Sequence, residues 1–269
     1  MNSLSIDLHV HTNCSFDSFI EPKSVIKHAL KTGLNVIAIT DHNSIDNALR
    51  IKEVASKLNS KLKVIIGEEV STDKGEIIGL FLTKLVKSGS LQTVIEAIKS
   101  QGGVVYLPHP FKRSKIIETS LINDIDIIEV WNARSNYEQN YKGLIFAIQH
   151  NKLIACGSDS HLISELGRCR MQVETDMHLE DSLFSENFLN LIKNASRIKI
   201  IGTNDNYIRF ECQSQFIKAI KKRTLSPFKY LLRYLLFELI CNWNNPNSIT
   251  ILLEKNINEQ NFKMEVLDD

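Results

Sequence analysis

The stretch "IDLHVHTNCSFDS", residues 6–18, places two histidines one residue apart in an apolar run, with an aspartate six positions after the second. In a β-strand, His9 and His11 point to the same face with their Cα atoms roughly 7 Å apart. A strand that served packing alone would favour Val or Ile at these positions. The pattern therefore indicates that both imidazoles can reach one metal ion.

The bulk composition is that of an ordinary globular protein. The chain has 269 residues, of which 43% are hydrophobic and 23% charged, with a net charge of +1. This balance provides no general attraction to nucleic acid or to an anionic membrane. Five cysteines without a CxxC pair favour neither a disulfide framework nor a thiolate zinc site. We find no secretory signal and no apolar stretch long enough to span a membrane, so we predict a cytoplasmic protein.

Apolar runs of strand length alternate with segments of helical periodicity over the first 160 residues or so. Such alternation is typical of a parallel sheet covered by helices, and seven strands predict a small α/β barrel. The strand candidates are residues 5–11, 35–40, 63–70, 76–82, 103–108, 125–131 and 153–158. The helix candidates are residues 22–32, 44–59, 90–101 and 137–150.

The pattern changes after residue 170. Residues 183–202 are predicted to form a helix and then a strand, and Ser226-Pro227 resembles a helix start within the basic and apolar stretch 216–243. We assign residues 1–205 to the barrel with a short extension, and residues 206–269 to a helical C-terminal segment. The segment 216–241 has three open interpretations: it packs on the barrel, it lies on a membrane surface, or it forms a homo-oligomer contact through residues 226–241.

Polar side chains cluster where the predicted strands end. In a parallel barrel all these ends open onto one mouth, where active sites are found. Imidazoles and carboxylates without a thiolate suit Zn, Mn or Fe, and the number of donors suits more than one ion. Ions about 3.5–4 Å apart can clamp a phosphoryl group. The residues at the mouth are His9, His11, Asp41, His42, Glu68, Glu69, Glu76, His109, Glu129, Asp159 and His161. The other histidines, His28, His150 and His178, are predicted to lie on or beside helices as surface or packing residues.

Six motifs in order carry a family resemblance: "DLHVHTNCSFDS", "AITDHN", "GEEVS", "PHP", "IEVWN" and "GSDSH". Together they resemble the PHP (polymerase and histidinol phosphatase) superfamily over residues 5–170 or so. The regions "LGRCRMQVE" and 183–202 are similar to the short C-terminal extension of bacterial members. The resemblance implies a distorted (β/α)7 TIM-like barrel, two or three divalent metal ions, and phosphoesterase chemistry.

The resemblance also implies a division of the ligands. One ion would be held by His9, His11, Glu69 and Asp159. A second would share Glu69 and be held by His109, and a third would be held by Asp17, His42 and His161. Glu76 departs from the family pattern, because many members have a histidine near this point. A carboxylate can still bind the second ion, and it favours Mn or Fe over Zn.

Neighbouring residues have two interpretations each. Asp41 either orients an imidazole or caps the following helix, and Glu129 is either a supporting or substrate contact or a packing residue. Glu68 is predicted to face away from Glu69, because side chains alternate along a strand. Cys14 and Cys156 are interpreted as packing residues.

Four cationic residues follow the metal motifs on loops of the same mouth. Arg134 and Arg168 are predicted to bind phosphate oxygens, since an arginine fork matches phosphate geometry. Lys112 and Arg113 are alternatives, and any of the four can instead be simply solvated. The leaving oxygen would receive its proton from a bound water, Asp159 or His161.

The sequence therefore predicts a metal-dependent phosphoesterase acting on a small phosphomonoester. The alternative within enzymes is a nuclease or nucleotide phosphodiesterase, against which stands the lack of a basic stripe with interleaved aromatic residues. An alternative outside enzymes is a catalytically silent interaction module. Degenerate metal motifs would favour it, whereas nearly all the donors are present here.

Overall fold

The computed structural model describes residues 2–58, 60–112, 120–175, 184–203, 207–224, 232, 249–256 and 262–268. Its strands are β1 (Asn2–Val10), β2 (Val36–Ile39), β3 (Lys63–Thr72), β4 (Gly75–Leu80), β5 (Val104–Leu107), β6 (Ile127–Asn132), β7 (Leu153–Gly157), β8 (Cys169–Thr175), β9 (Arg197–Thr203), β10 (Ile249–Asn256) and β11 (Phe262–Asp268). Its helices are α1 (Pro22–Lys31), α2 (Asp46–Lys57), α3 (Leu91–Lys99), α4 (Tyr137–Gln149), α5 (Phe184–Lys193) and α6 (Tyr207–Lys221).

The strands form one sheet that curls into a nearly closed barrel. Its order is β11-β10-β9-β8-β1-β2-β3-β4-β5-β6-β7. The barrel closes between the end of β1 and the segment that follows β7. There the backbone N–H of His11 donates to the carbonyl of Ser160 at 3.0 Å. Gly157 permits this approach, because a Cβ there would lie 2.2 Å from the Cβ of His9. The predicted mixed α/β, TIM-like barrel is confirmed.

Strand β4 corrects the expectation of an all-parallel barrel. It runs antiparallel to both β3 and β5, and only Asp73 and Lys74 separate it from β3. Gly75 takes a φ of 126°, which suits glycine far better than any other residue. The tight turn reverses the strand, so the start of β4, rather than its end, lies at the mouth. Glu76 therefore pairs opposite Ser71 beside the other strand ends.

Helices and strands enclose the core on both faces of the barrel. Strands β2, β5 and β6 are buried along their whole length, as expected for strands covered on both sides. Helix α3 begins at Ser90, whose side chain accepts the N–H of Thr93. Helix α4 begins with a reciprocal capping pair formed by Asn136 and Gln139. These caps fix the helix starts and hence the connecting loops that reach the mouth.

Beyond the barrel, β8 pairs antiparallel with β1, and β9, β10 and β11 continue the sheet outward. The helical character expected for residues 206–269 holds for α6 but not for Ile249–Asn256 and Phe262–Asp268, which are strands. The predicted helix start at Ser226 lies outside the described residues, as do Arg113 and His178. The division into two domains at residue 205 stays a prediction. Among the described helices, none combines the length and low charge needed to cross a bilayer.

Candidate metal centre

All nine predicted metal ligands meet at one mouth of the barrel. His9 on β1 and His11, directly after this strand, are fully buried, and the rest surround a cavity above them. The residues that line this cavity are Asp17, His42, Glu69, Glu76, His109, Lys112, Arg134, Asp159, His161, Glu211, Ser214 and Gln215.

The carboxylate of Glu69 stands at the middle of the cluster. Its Oε2 lies 3.7 Å from His9 Nε2, 3.4 Å from His11 Nε2 and 3.1 Å from His42 Nδ1. Its Oε1 lies 3.2 Å from His109 Nε2. One buried carboxylate thus faces four imidazoles, an arrangement in which its two oxygens can serve different cations.

A first group of donors forms around the end of β1. The Nε2 atoms of His9 and His11 are 3.1 Å apart. Asp159 Oδ1 lies 3.6 Å from the first and 3.4 Å from the second. Asp159 has a φ of 51°, a left-handed conformation that costs energy in a residue with a side chain. In this conformation the carboxylate of Asp159 faces the two imidazoles.

A second group lies towards β4 and β5. Glu76 Oε2 lies 3.8 Å from His109 Nε2, which also bonds Glu69 Oε1. His109 has a φ of 27°, again a left-handed conformation at the site. Glu76 Oε1 lies 3.9 Å from His42 Nδ1. The reversed strand β4 thus brings Glu76 to the place where it can complete this group.

A third group forms around Asp17 on the loop after β1. Asp17 Oδ2 lies 3.5 Å from His42 Nε2, and Oδ1 lies 3.2 Å from His161 Nε2. The three groups share members. Potential ligand atoms of His11, His42 and His161 also lie within 4.8 Å of one another, and so do those of His42, Glu69 and Glu76. The donors are therefore one continuous cluster rather than separate pockets.

The electrostatics of the cluster favour added positive charge. Burial opposes protonation of His42, yet the carboxylates of Glu69 and Asp17 raise its pKa to about 9. Asp159, Glu129 and Glu69 likewise raise the pKa of His9 well above its usual value, against the effect of burial. Burial also opposes ionisation of Glu69, but His42 and His9 hold its pKa well below the usual value. Carboxylates that draw protons onto buried imidazoles also attract cations.

Several polar atoms at the centre have no hydrogen-bond partner among the described residues. They include the buried His109 Nδ1, and also Asp17 Oδ1 and His42 Nδ1, whose close contacts with His161 Nε2 and Glu69 Oε2 lack hydrogen-bond geometry. Buried polar atoms are normally hydrogen-bonded, so such orphans call for an explanation. Oxygen and imidazole donors that surround a shared carboxylate fit one or more divalent cations.

Glu129 supports the centre from below. Its Oε1 accepts from His9 Nδ1 at 3.1 Å and from the Tyr106 hydroxyl at 2.9 Å. Its Oε2 accepts from the backbone N–H of His109 at 2.6 Å and from Asn132 Nδ2 at 3.0 Å. A proton held on Nδ1 of His9 leaves its Nε2 lone pair facing the cluster. The supporting interpretation of Glu129 therefore matches the geometry.

Asp41 supports the centre through Ser15. The Ser15 hydroxyl donates to Asp41 Oδ1 at 2.6 Å and lies 3.0 Å from His11 Nδ1. With its own hydrogen used, the hydroxyl accepts from Nδ1–H, and the Nε2 of His11 then faces the cluster. Sequence reasoning missed Ser15, although it lies within the opening stretch. Glu68 faces away, as alternation predicts, and accepts the N–H of Val86 at 2.8 Å.

The predicted phosphate-binding residues occupy different places. Lys112 lines the cavity, with Nζ 3.7 Å from Asp159 Oδ2. Arg134 also lines it, but Nη2 donates to Phe210 O at 2.6 Å and Ser214 Oγ at 2.7 Å. The Arg168 guanidinium lies over the Phe210 ring, 4.9 Å from its centre, and this residue does not line the cavity described above.

Arg134 contacts a predicted ligand, His161, rather than open space. Its Nη1 lies 2.6 Å from His161 Nδ1, and its Nε lies 3.3 Å from Glu165 Oε1. Burial and the positive charge of Arg134 outweigh the opposing effect of Asp17 and lower the pKa of His161 to about 4. A doubly protonated imidazole cannot bind a metal, so the charge of Arg134 opposes the form of His161 that excludes a cation.

Helix α6 forms one wall of the cavity, which the sequence did not predict. Glu211, Ser214 and Gln215 line the cavity from this helix. Lys218 and Lys222 lie over the ring of Phe16, 4.5 Å and 4.3 Å from its centre. Residues of the stretch 216–222 therefore contact the barrel, while the membrane-surface and homo-oligomer interpretations of the segment stay predictions.

These motifs and this fold identify the family. The sequence model of the PHP domain matches residues 7–231, so the chain belongs to the PHP-domain family. The match extends past the barrel and includes α6. An uncharacterized protein of Methanocaldococcus jannaschii, MJ0417, is 34% identical over an alignment of 203 residues, and the match covers 71% of this chain and 79% of that protein.

Two solved structures share the fold at low sequence identity. PsfC from Pseudomonas syringae has a TM-score of 0.61 at 17% identity, over 82% of this chain and 99% of PsfC. A two-domain protein from Bacteroides vulgatus, described as containing a predicted PHP-like metal-dependent phosphoesterase, has a TM-score of 0.57 at 17% identity. That match covers 75% of this chain and 76% of the other.

Proposed function

We propose that this protein is a metal-dependent phosphoesterase that hydrolyses a small phosphomonoester. The observation that carries the proposal is the Glu69 carboxylate, which lies 3.1–3.7 Å from four imidazoles in a cavity also lined by Lys112. Membership of the PHP-domain family supports it, as does the described phosphoesterase among the proteins of the same fold.

The donors fit two or three divalent ions of Mn, Zn or Fe. We assign His9, His11, Glu69 and Asp159 to one ion, Glu69, Glu76 and His109 to a second, and Asp17, His42 and His161 to a third. The carboxylate of Glu76 at the second position favours Mn or Fe. Such cations, when bound, polarise a phosphoryl group and acidify water.

The surrounding residues prepare these ligands. Glu129 holds the proton of His9 on Nδ1, and the Ser15–Asp41 pair does the same for His11. Arg134 and burial keep His161 neutral. His9 orients Asp159 through its charge, and His109 orients Glu69 through a hydrogen bond. These partners orient the rings, so a cation has only to displace the protons that the carboxylates draw onto His9 and His42.

Lys112 is the residue that we assign to a phosphate oxygen. Its ammonium lies beside Asp159 at the cavity, where a phosphoryl group would meet both the cation ligands and this charge. Arg134 is assigned to positioning, because its Nη2 hydrogens are already donated to α6. Arg168, stacked on Phe210, is assigned to holding α6. These assignments modify the expectation that both arginines bind substrate.

Asp159 and His161 fit ligands better than proton donors. Despite burial, His9 and neighbouring cations hold the pKa of Asp159 well below its usual value, and His161 has a pKa of about 4. Both groups are therefore deprotonated near neutral pH. We assign delivery of the leaving-group proton to solvent water in the cavity.

The charge of the site favours a monoester. A phosphomonoester carries two negative charges near neutral pH, whereas a diester link carries one, and a site with several cations stabilises the more charged group better. Helix α6 closes one side of the cavity and leaves less room for a polymer than an open mouth would. The cytoplasmic location and a homo-oligomer through residues 226–241 stay predictions.

A substrate comparison tests this proposal. The protein is reconstituted separately with Mn, Zn and Fe(II) and assayed with p-nitrophenyl phosphate, bis-p-nitrophenyl phosphate and a short oligonucleotide. We expect kcat/KM to be highest for the monoester with at least one metal. A clear preference for the diester or the oligonucleotide with every metal would instead support the nuclease alternative.

A further inference from the structure

The C-terminal end of α6 is anchored to the loop that carries Asp17, residues 12–19. Lys221 Nζ donates to the backbone carbonyls of Asn13 at 2.9 Å, Ser15 at 2.7 Å and Ser18 at 2.7 Å. An ammonium group has three hydrogens, and here each one has a carbonyl acceptor. The loop and the helix are more than 200 residues apart in sequence, so this contact ties the far end of the domain to the site.

The anchored loop sets the position of two groups at the metal centre. It carries the carboxylate of Asp17, which faces His42 and His161. It also carries the hydroxyl of Ser15, which lies between His11 and Asp41. A third loop residue, Ser18, donates its hydroxyl to the carbonyl of His161 at 3.0 Å. A shift of the loop would therefore change the contacts of three histidines, His11, His42 and His161.

Lys221 differs from its basic neighbours in what it contacts. Lys222 places its ammonium over the ring of Phe16, and its side chain is exposed to solvent. Lys221 instead reaches over the loop, with Nζ 5.3 Å from the ring centre of Phe19, and its side chain is only partly exposed. Its charge also acts on the carboxylates of Asp17 and Asp41. Charge-assisted hydrogen bonds in partly buried surroundings are stronger than a solvated cation–ring contact.

We propose that Lys221 is a positioning residue that holds loop 12–19 in the shape that presents Asp17 and Ser15 to the metal ligands. This inference rests on the proposed metal site. It means that α6 is part of the catalytic unit, since a chain ending near residue 205 would lack this anchor. The basic run after residue 217 contacts this loop in two ways: Lys221 binds its carbonyls, while Lys218 and Lys222 lie over the ring of its Phe16.

The test compares Lys221→Met with Arg209→Met, which removes a positive charge from an exposed position of α6 that has no described contact with loop 12–19. Amide hydrogen exchange is followed in the cation-free full-length proteins for the peptide that covers residues 12–20. Manganese stoichiometry is measured on the same samples. We expect Lys221→Met to speed exchange of this peptide at least tenfold and to lose one Mn per chain, while Arg209→Met matches the wild type in both measurements.

Each outcome decides a separate question. Wild-type exchange in Lys221→Met would overturn the role of Lys221, whatever the metal content. Faster exchange in that variant, with the same Mn stoichiometry as the wild type, would support the anchor and refute the assignment of a third ion to Asp17. If Lys221→Met does not fold, Lys221→Arg takes its place, because a planar guanidinium does not direct three hydrogens at these carbonyls as an ammonium does. Wild-type exchange in that variant would equally overturn the role.

Discussion

The substitution Glu129→Gln tests how the site orients its ligands. The Glu129 carboxylate accepts four hydrogen bonds, two at each oxygen, and all four donors are buried with it or come from the backbone at the site. A glutamine has the same shape but offers only one acceptor oxygen. If that oxygen faces His9 and Tyr106, the new amide N–H2 group faces the backbone N–H of His109 and the amide of Asn132. The N–H of His109 and the amide of Asn132 then face another hydrogen-bond donor and lose their acceptor.

The size of the effect follows from these contacts. A buried donor left without its acceptor costs about 1–3 kcal/mol, so two such losses predict a fall of about 2–6 kcal/mol in the free energy of unfolding. The change also loosens His9 and His109. Loss of a partner that orients a metal ligand typically lowers metal affinity about 10–100-fold. We therefore expect weaker binding of Mn together with a less stable fold.

Two assays read this out: urea denaturation of the cation-free protein, and competition for Mn with a chromophoric chelator. Glu68→Gln is the matched control, because Glu68 is a buried neighbour whose Oε2 accepts one N–H while Oε1 has no hydrogen-bond partner among the described residues. Burial raises the pKa of Glu68 to about 7, so a neutral amide resembles its protonated form. The control should change either quantity by less than about 1 kcal/mol. Equal metal affinity and stability in Glu129→Gln and the wild type would refute the reasoning.

Three further predictions concern substrate and protons. Lys112→Ala should lower kcat/KM for p-nitrophenyl phosphate by about 10–100-fold at unchanged metal content, as expected for a lost charged hydrogen bond, whereas an unchanged kcat/KM would remove Lys112 from the phosphate site. Arg168→Ala should leave KM for the same ester within about threefold, because Arg168 does not line the cavity and α6 keeps its contacts with Arg134 and loop 12–19; a tenfold rise would restore it as a substrate contact. Because the cation-free pKa of His42 is raised to about 9, a cation must displace a proton between pH 6.5 and 9. Apparent Mn affinity measured by calorimetry should therefore increase across this range with proton release, and a flat profile would contradict the proton competition.

Much of the fold and the cluster could be predicted because both depend on local pattern. Continuous apolar strands indicated the barrel, and polar residues at strand ends indicated the mouth, which is how His9, Glu69 and Asp159 were found. The direction of β4 was wrong, since Glu76 was expected at a parallel strand and lies instead on a strand reversed by a two-residue turn. Apolar content reports burial, not strand direction.

The residues that support the ligands were harder to predict. Arg134 was interpreted as a phosphate fork from its place in the chain, but its partners lie on α6, about 80 positions away. Lys221 belongs to a basic run whose charges look alike in the sequence, and only the packing of α6 separates one that anchors a loop from those that cover Phe16. Such roles depend on tertiary contacts between distant segments, which periodicity does not encode.

The central claim is that Glu69 is a carboxylate shared between cations. Elemental analysis of gently purified and Mn-reconstituted protein, with Glu69→Gln compared against Glu68→Gln, tests it most directly. We predict at least two ions per chain in the wild type and in Glu68→Gln, and the loss of at least one in Glu69→Gln, because the amide keeps the size of the side chain but removes the charge that four imidazoles surround. Fewer than one ion per chain in the reconstituted wild type, or full occupancy in Glu69→Gln, would contradict the account.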